Sequence, residues 1–334
     1  MVHKVTFPKY SFSDYLMLFN GFFPKKPTFT EKDYPSLDGK VVIITGANSG
    51  VGYQSAKSLL GSTNARVYMF ARNPTKAEQA IKKLEVEVAQ EYKKTNLDIH
   101  FIQIDFSDLT TIKPAAEKFL SQENRLDIII HNAGVMTPPA GSRTKQNFDL
   151  ELGTNNLGSQ LLQKYLDPIL IKTSITNKPG ESRIVWVAST ASYLSPIGGI
   201  HYADPNFNDS DATKETIYGQ SKAVNVLQAK GWNGAHPDAK NVVCVSICPG
   251  YLRTELQKYA TGFEALIYRL FFHDARNGAY TELFAALSPK LTMQNTGAYV
   301  ISFGHISKAR KDLDDPENIR KAWNFLEEEL KPYI

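Results

Sequence analysis

The sequence lacks several features that mark other classes of protein. It has only 2 cysteines among 334 residues, Cys244 and Cys248. If they lie on one strand, about 13 Å separates them, beyond the roughly 7 Å between Cα atoms that a disulfide allows. No apolar run approaches the length of a membrane span, and Asn20 and Gly21 interrupt the N-terminal apolar segment. We therefore predict a cytoplasmic protein without disulfide bonds.

The net charge is small, and the histidines form no metal-binding pattern. The formal net charge is +4, and the cations form no stripe of the kind that nucleic-acid binding requires. The 7 histidines are scattered, without an HExxH pattern or a cluster with cysteine. The sequence therefore predicts neither nucleic acid as a partner nor a metal site.

Past residue 40, short apolar runs alternate with segments of helical periodicity such as residues 75–94. The apolar runs are continuous, as expected for strands covered on both faces. This alternation predicts one α/β domain over residues 40–334, a Rossmann-like, doubly wound parallel sheet of about seven strands with helices on both faces. The predicted strands are residues 41–45, 66–71, 99–104, 126–131, 183–189, 242–247 and 299–302.

Three segments fall outside the alternation. Residues 1–39 form an aromatic-rich extension in which aromatic side chains precede Lys25 and Lys26. Contact of residues 10–26 with a membrane or lipid droplet, and packing on the domain or on a second subunit, fit this pattern equally well. Segments 190–216 and 252–275 are predicted to cover a substrate. The second has an apolar set that fits a lid, a packed helix or a membrane contact: Phe263, Leu266, Ile267, Tyr268, Leu270, Phe271 and Phe272.

A glycine-rich turn, TGANSGVG, joins the first predicted strand to the first helix of the domain. Such a turn lets the backbone approach a pyrophosphate, which the N–H groups of the following helix bind. The sequence therefore predicts a dinucleotide site here. The residues assigned to it are Gly46, Asn48, Ser49, Gly50, Val51 and Gly52.

The end of the second predicted strand indicates which dinucleotide is bound. NAD sites place an acidic residue there, whereas NADP sites need a cation for the additional phosphate. Here Ala71 stands at the acidic position and Arg72 follows it, so we predict NADP(H). An ordinary solvated arginine is the alternative for Arg72. Asn48, Ser49 and Lys76 are weaker candidates for the same phosphate.

Two further strand ends complete the predicted cofactor site. Asp105 and Phe106 follow the third strand; Asp105 suits a contact with the adenine amine, or it caps the helix that begins near Leu109. The fourth strand ends in HNAG, where small residues let the backbone pass close to a cofactor. From this turn we assign Asn132, Ala133 and Gly134.

These turns are followed by Ser189 after the fifth strand and by two later motifs, YGQSK and CPG. In this combination the sequence resembles the short-chain dehydrogenase/reductase family. The resemblance runs in order over most of residues 40–302. Its retinol-dehydrogenase-like and fungal carbonyl reductase members are the most similar, because they share the ANSG turn and the long gap between serine and tyrosine. A single serine stands here where the family usually has two, since Ala188 precedes Ser189.

Tyr218 and Lys222 are spaced i and i+4 and so share one helix face. The ammonium favours the phenolate, so Tyr218 can exchange a proton with a carbonyl or alcohol oxygen. Ser189 lies at the sheet edge where ligands bind and can orient that oxygen. The resemblance implies that Lys222 also holds the nicotinamide ribose and that Asn155 binds a relay water, with a shift to Asn156 conceivable.

The resemblance further implies that a loop after the sixth strand packs on the nicotinamide; we assign to it Pro249, Gly250 and Thr254. It also implies a homodimer through the helices of Asn155 and Tyr218. The expected activity is NADPH-dependent reduction of a hydrophobic aldehyde or ketone. A lipid or retinol/sterol-like alcohol dehydrogenase and a non-catalytic NADPH-binding scaffold are the alternatives.

Overall fold

The computed structural model describes residues 2–21, 23–254 and 272–334. Its central sheet has 8 strands in the order β10-β9-β6-β5-β4-β1-β2-β3, and a separate ribbon pairs β7 with β8. The strands are β1 Val41–Thr45, β2 Arg66–Ala71, β3 Ile99–Gln103, β4 Ile128–His131, β5 Ser182–Val187, β6 Val242–Ile247, β7 Leu252–Arg253, β8 His273–Asp274, β9 Tyr299–Ile301 and β10 His305–Ser307.

The helices begin where the sequence supplies caps. In two of them a capping residue, Asn73 or Asp315, directly precedes a proline. Proline is tolerated at the first helical position, because an N–H at that position would have no partner within the helix. The described α-helices are α1 Phe12–Asn20, α2 Gly50–Ser62, α3 Pro74–Tyr92, α4 Ile112–Gln122, α5 Leu150–Leu152, α6 Gly158–Thr176, α7 Lys214–Ala235, α8 Ala275–Leu287 and α9 Pro316–Leu330. A π-helical turn, Gly153–Leu157, joins α5 to α6.

Helices cover both faces of the sheet. One apolar cluster joins β-strand side chains to α4, α6, α7 and α9, and a second joins the opposite face to α2, α3 and α8. Strands β1, β4, β5 and β6 are buried along their whole length. The predicted doubly wound, Rossmann-like α/β fold is therefore confirmed.

The sheet differs from the prediction at one edge. All neighbouring strands pair in parallel except β9 and β10, which are antiparallel. The chain turns back between them at Gly304, whose φ is +87°. Strand β10 has a single apolar residue among its 3 and so forms no apolar run, which is why it was not among the about seven predicted strands.

The N-terminal residues are more closely tied to the domain than the prediction of an extension ending at residue 39 implies. Phe29 and Leu37 are buried in the core, and the Phe29 ring lies 6.0 Å from that of Phe284 in α8. Further upstream, His3 forms a bridge to Ser210. Packing on the domain, one of the alternatives considered for this segment, is thus observed.

None of the described helices is long and apolar enough to span a bilayer. The outer side of α1 exposes Phe12, Tyr15, Leu16 and Phe19. The suggested contact of residues 10–26 with a membrane or lipid droplet stays a prediction, as does the homodimer. Cys244 and Cys248 are free, buried thiols.

Candidate active site

A cleft of about 320 Å³ opens at the carboxyl ends of the central strands. Strands β1 and β4 are neighbours although β2 and β3 lie between them in the chain, so the helices that follow β1 and β4 diverge to opposite faces. Open α/β sheets bind ligands at such a switch point. Residues predicted from five motifs distant in the chain line this cleft: Val51, Asn132, Gly134, Ser189, Tyr218, Lys222, Pro249, Gly250 and Thr254.

The glycine-rich turn takes the conformation that a dinucleotide loop needs. Gly46 and Gly50 have φ values of +70° and +59°, a region that favours glycine. Ser49 is the residue before α2, but its side chain makes no capping hydrogen bond. The first N–H groups of α2 are therefore not satisfied by that side chain and can bind an anion. Asn48 lies half-buried in the same turn.

Gly52 is required for close packing between this turn and the end of β4. A Cβ atom at Gly52 would lie 2.4 Å from Nδ2 of Asn132. That amide nitrogen donates to the carbonyl of Thr45 at 2.8 Å, while the Ala133 N–H donates to the Thr45 hydroxyl at 2.9 Å. Thr45 therefore ties two of the predicted strand ends together.

We expect Gly52→Ala to destabilise the fold by about 1–3 kcal/mol, because Asn132 must leave its bond to Thr45. Cofactor affinity should fall as well. Thermal unfolding of the variant, with and without dinucleotide, measures both effects. Gly234→Ala is the matched control: an added Cβ there meets nothing within 4 Å, and alanine favours its helix. A Gly52→Ala protein as stable as Gly234→Ala would contradict the packing argument.

Arg72 follows β2 and is exposed, with no ion pair in the described part of the chain. The next residue, Asn73, accepts from the Lys76 N–H at 2.9 Å and so caps α3. Lys76 is also exposed and lies in the first turn of that helix. Two cations thus stand at the start of α3, where a helix N-terminus already favours an anion.

Asp105 and Phe106 occupy different environments. The Asp105 carboxylate accepts from the N–H and hydroxyl of Ser107 at 2.9 and 2.6 Å. The proposed capping role for Asp105 was wrong: Asp108 caps the 3-10 helix Leu109–Thr111, because it lies directly before the first helical residue. The Phe106 side chain is buried in the core, facing α6.

Tyr218 and Lys222 lie side by side on α7, as their spacing predicts. Nζ of Lys222 lies 5.7 Å from the centre of the Tyr218 ring and donates to the carbonyl of Val187 at 2.9 Å. Burial lowers the pKa of Lys222 to about 8, and the nearby Glu151 carboxylate opposes this shift. The ammonium is thus held in a nearly dry site, where its charge acts strongly on neighbouring groups.

Asn155 and Asn156 point to different partners, and the choice between them stays a prediction. The Asn155 side chain accepts from the Val135 N–H at 2.8 Å and donates to its carbonyl at 3.0 Å, beside the cleft. Asn156 instead donates to the Ser221 carbonyl at 2.8 Å, within the packing of α7. Both lie in the π-helical turn, a distortion frequent at functional sites.

Asn225 connects Asn155 with Lys222 and was missed in the sequence. Its side-chain amide donates to the Asn155 carbonyl at 3.0 Å, and its side-chain oxygen accepts from Lys222 Nζ at 3.4 Å. The signal was present, since Asn225 is three residues after Lys222 and therefore shares its helix face. A lone asparagine at that spacing has no specific meaning without the neighbouring element.

Glu151 is a second site residue that the sequence analysis missed. It is 1% exposed, and its carboxylate accepts from the Thr137 N–H at 2.5 Å. Burial, reinforced by the charge of Asp149, raises the pKa of Glu151 to about 8. Glu151 and Lys222 thus both have displaced pKa values, and the charge of each acts on the other, as is common at functional sites.

Ser189 is positioned by the turn that follows β5. It precedes the 3-10 helix Thr190–Leu194, and its hydroxyl accepts from the Ala191 N–H at 3.1 Å. Of the predicted substrate cover 190–216, only the ends line the cleft, through residues 190, 191 and 194 and through Glu215. The middle of the segment packs elsewhere. Gly198 lies against α9, and the Asp211 carboxylate accepts a hydrogen bond from the Val5 N–H.

The loop after β6 closes the other side of the cleft. Gly250 has φ +106°, and a Cβ atom there would lie 2.9 Å from Oγ of Ser302. Thr254 lies beside the glycine turn. A Cβ atom added at Gly50 would be 3.6 Å from the Cβ atom of Thr254. Of the predicted cover 252–275, Leu252, Thr254 and Phe272 line the cleft, whereas the apolar set from Phe263 to Phe271 lies outside the described residues.

These features fit a nicotinamide dinucleotide. The uncapped start of α2 and the glycines of its turn leave room and N–H donors for a pyrophosphate. Lys222, Tyr218 and the loop of Pro249 and Gly250 line the cleft together with Val51 of that turn. The site residues remain predictions; 9 of them line this cleft, whereas Arg72, Lys76, Asp105, Phe106 and Asn155 are among those that do not.

Comparison with known proteins agrees with this geometry. The family model described as short chain dehydrogenase matches residues 40–204. A short-chain dehydrogenase/reductase of Phomopsis amygdali is 38% identical over 325 residues, covering 93% of this chain and 96% of that protein. One from Armillaria gallica is 36% identical over 311 residues, covering 93% of this chain and 96% of the relative.

Solved structures share the fold. A Mycobacterium paratuberculosis protein without an assigned function has a TM-score of 0.66 at 25% identity, covering 90% of this chain and 97% of its own. An NADPH-bound carbonyl reductase from chicken fatty liver has a TM-score of 0.60 at 19% identity, covering 81% of this chain and 99% of that protein. The extent of the sequence identity, added to the shared architecture, shows that this chain belongs to the short-chain dehydrogenase/reductase family of oxidoreductases.

Proposed function

We propose that the protein is an NADPH-dependent reductase of aldehydes or ketones, in which Tyr218 donates the proton. The observation that carries the proposal is the convergence of Tyr218, Ser189 and Lys222 on one cleft, from motifs far apart in the chain. Bound NADPH supplies the hydride. The apolar lining at the substrate end, which includes Val135, Met136 and Leu194, favours a hydrophobic carbonyl compound.

The choice of NADP(H) over NAD(H) rests on the end of β2. Ala71 offers no carboxylate to bind ribose hydroxyls, and Arg72 is exposed with its guanidinium not engaged in an ion pair within the described residues. A guanidinium matches the geometry of a phosphate. Arg72, supported by Lys76, would hold the 2′-phosphate, and the start of α2 would hold the pyrophosphate.

The residues around Tyr218 are arranged for proton transfer to a carbonyl oxygen. Ser189 can donate a hydrogen bond to that oxygen and orient it toward the phenol. As the phenol loses its proton, the buried ammonium of Lys222 stabilises the phenolate. Asn155 and Asn225 keep Lys222 in place through the hydrogen bonds described above.

The direct test is the initial rate of NADPH consumption with a panel of aldehydes, ketones and diketones, with NADH measured in parallel. The proposal expects turnover that is much faster with NADPH. Binding of NADPH without turnover of any carbonyl compound would overturn it. Oxidation of lipid alcohols by NADP⁺ would then identify the reverse reaction as the main one, and no turnover at all would favour a scaffold.

The pH dependence should follow Lys222. Its ammonium is present below the lowered pKa of about 8 and lost above it. Reduction should therefore be fastest below about pH 8, and kcat/KM should fall about tenfold per pH unit beyond it. Glu151 favours the ammonium when ionised, so Glu151→Gln should move this fall to lower pH. Rate profiles between pH 6 and 10 measure both.

Glu282→Gln is the matched control for the pH profile. Burial raises the pKa of Glu282 to about 8 as well, but this acid lies between α2 and α8, where it accepts from the Ser55 hydroxyl at 2.5 Å. It should leave the profile unchanged. An equal displacement by Glu282→Gln and Glu151→Gln would show that general stability, rather than Lys222, sets the pH limit.

A further inference from the structure

Helix α1 contributes one side chain to the lining of the cleft. Among the residues of α1 and its C-terminal cap whose burial is described, those that are not exposed follow one helical stripe: Asp14, Met17, Leu18 and Gly21. This i, i+3, i+4, i+7 spacing places them on the face toward the domain. Leu18 is the member of the stripe that lines the cleft.

The C-terminal end of α1 is packed tightly on Tyr251, which also lines the cleft. The Tyr251 hydroxyl donates to the Leu18 carbonyl at 3.5 Å. A Cβ atom at Gly21 would lie 2.6 Å from Cε2 of Tyr251, so the backbone of Gly21 rests directly on the ring. The Tyr251 ring also lies near that of Phe272, with 5.4 Å between the ring centres.

The segment before α1 is fixed to the turn that follows Ser189. The Tyr10 hydroxyl donates to the Tyr193 carbonyl at 2.7 Å. That carbonyl also accepts from the buried Arg310, whose guanidinium further donates to the carbonyls of Ser195 and Pro196 at 2.9 and 2.8 Å. The helix is therefore anchored at both ends to loops that border the cleft, and its position relative to Ser189 is set.

We propose that α1 forms a wall of the substrate site and that Leu18 makes the protein select carbonyl compounds with an extended apolar group. This inference rests on the proposed function, since it names the substrate class of the same site. Leu18, Tyr251 and Phe272 together present an apolar surface to the cleft. A short or strongly polar carbonyl compound leaves that surface exposed to water, whereas a long alkyl or aryl group covers it.

The test compares Leu18→Ala with Leu16→Ala in the full-length protein. Leu16 is on the same helix, but it is 46% exposed and does not line the cleft. Binding of decanamide to the NADP⁺-saturated protein is measured by calorimetric titration, because an amide and the oxidised cofactor do not react with each other. Leu18→Ala should weaken decanamide binding about tenfold, and Leu16→Ala should leave it at the wild-type value.

The kinetic counterpart is the ratio of kcat/KM for 2-decanone to that for 2-butanone, which should fall about tenfold in Leu18→Ala through KM. Should Leu18→Ala fail to fold, Tyr10→Phe loosens the same wall at its other anchor and should weaken decanamide binding about threefold. Wild-type affinity for decanamide in both variants, or no binding to the wild-type protein, overturns the proposal. Decanamide binding without turnover of any ketone overturns only the proposed reductase function.

Discussion

Replacing Tyr218 by phenylalanine is expected to lower kcat about a thousandfold while NADPH still binds. The phenylalanine ring keeps its place beside Lys222, 5.7 Å from the ammonium, so the shape of the cleft is preserved. What is lost is the hydroxyl, and with it the proton that the developing alkoxide must receive. Positioned proton donors typically contribute about 10²–10⁴ in rate, which sets the expected size of the effect.

Steady-state kinetics measures kcat, and a fluorescence titration with NADPH measures cofactor binding separately. Tyr202→Phe is the matched control, because the Tyr202 hydroxyl is buried but has no hydrogen-bond partner among the residues described. Its removal should leave kcat unchanged. A Tyr218→Phe enzyme that retains a tenth or more of the wild-type turnover would exclude Tyr218 as the proton donor.

Arg72→Ala is expected to abolish most of the preference for NADPH over NADH. A charge-assisted hydrogen bond to a phosphate contributes about 1.5–3 kcal/mol, so the Kd for NADPH should rise about ten- to a hundredfold. The Kd for NADH should change little, because NADH has no phosphate for the guanidinium to bind. Titrations of both cofactors against the wild-type and variant proteins give the ratio directly.

The control for Arg72 is Lys82→Ala, which removes an exposed positive charge farther along α3. It tests whether the net charge alone, rather than a specific contact, governs NADPH affinity. Only Arg72→Ala should alter the ratio of the two dissociation constants. If the two variants weaken NADPH equally, the phosphate is bound elsewhere, and Lys76 becomes the next residue to replace.

Several features could be predicted because they depend on residues close together in the chain. The buried strands were recognisable as continuous apolar runs, and the i, i+4 spacing of Tyr218 and Lys222 was enough to place them on one face of α7. The glycine turn was predictable for the same reason, since positive φ at Gly46 and Gly50 is a local requirement. The capping residue was harder to predict. Asp105 and Asp108 both suit an N-cap by residue type, and only the position at which the helix begins distinguishes them.

Other features depend on contacts between distant segments. Burial raises the pKa of Glu151 and lowers that of Lys222, and the charge of each opposes the shift of the other, because α5 and α7 pack together. Strand β10 pairs with β9 over 3 residues, and its stability comes from the neighbouring strand rather than from its own sequence.

The sequence alone determined the fold class, the order of the motifs and the chemistry that each motif can offer, because these follow from local periodicity and residue type. The tertiary structure decided which of those residues meet. Leu18 was one member of an aromatic-rich extension in the sequence, and only the packing of Gly21 on Tyr251 and of Tyr10 on Tyr193 places it at the cleft. Such contacts join residues more than 180 positions apart, and no local pattern specifies a contact whose free energy depends on both partners being folded.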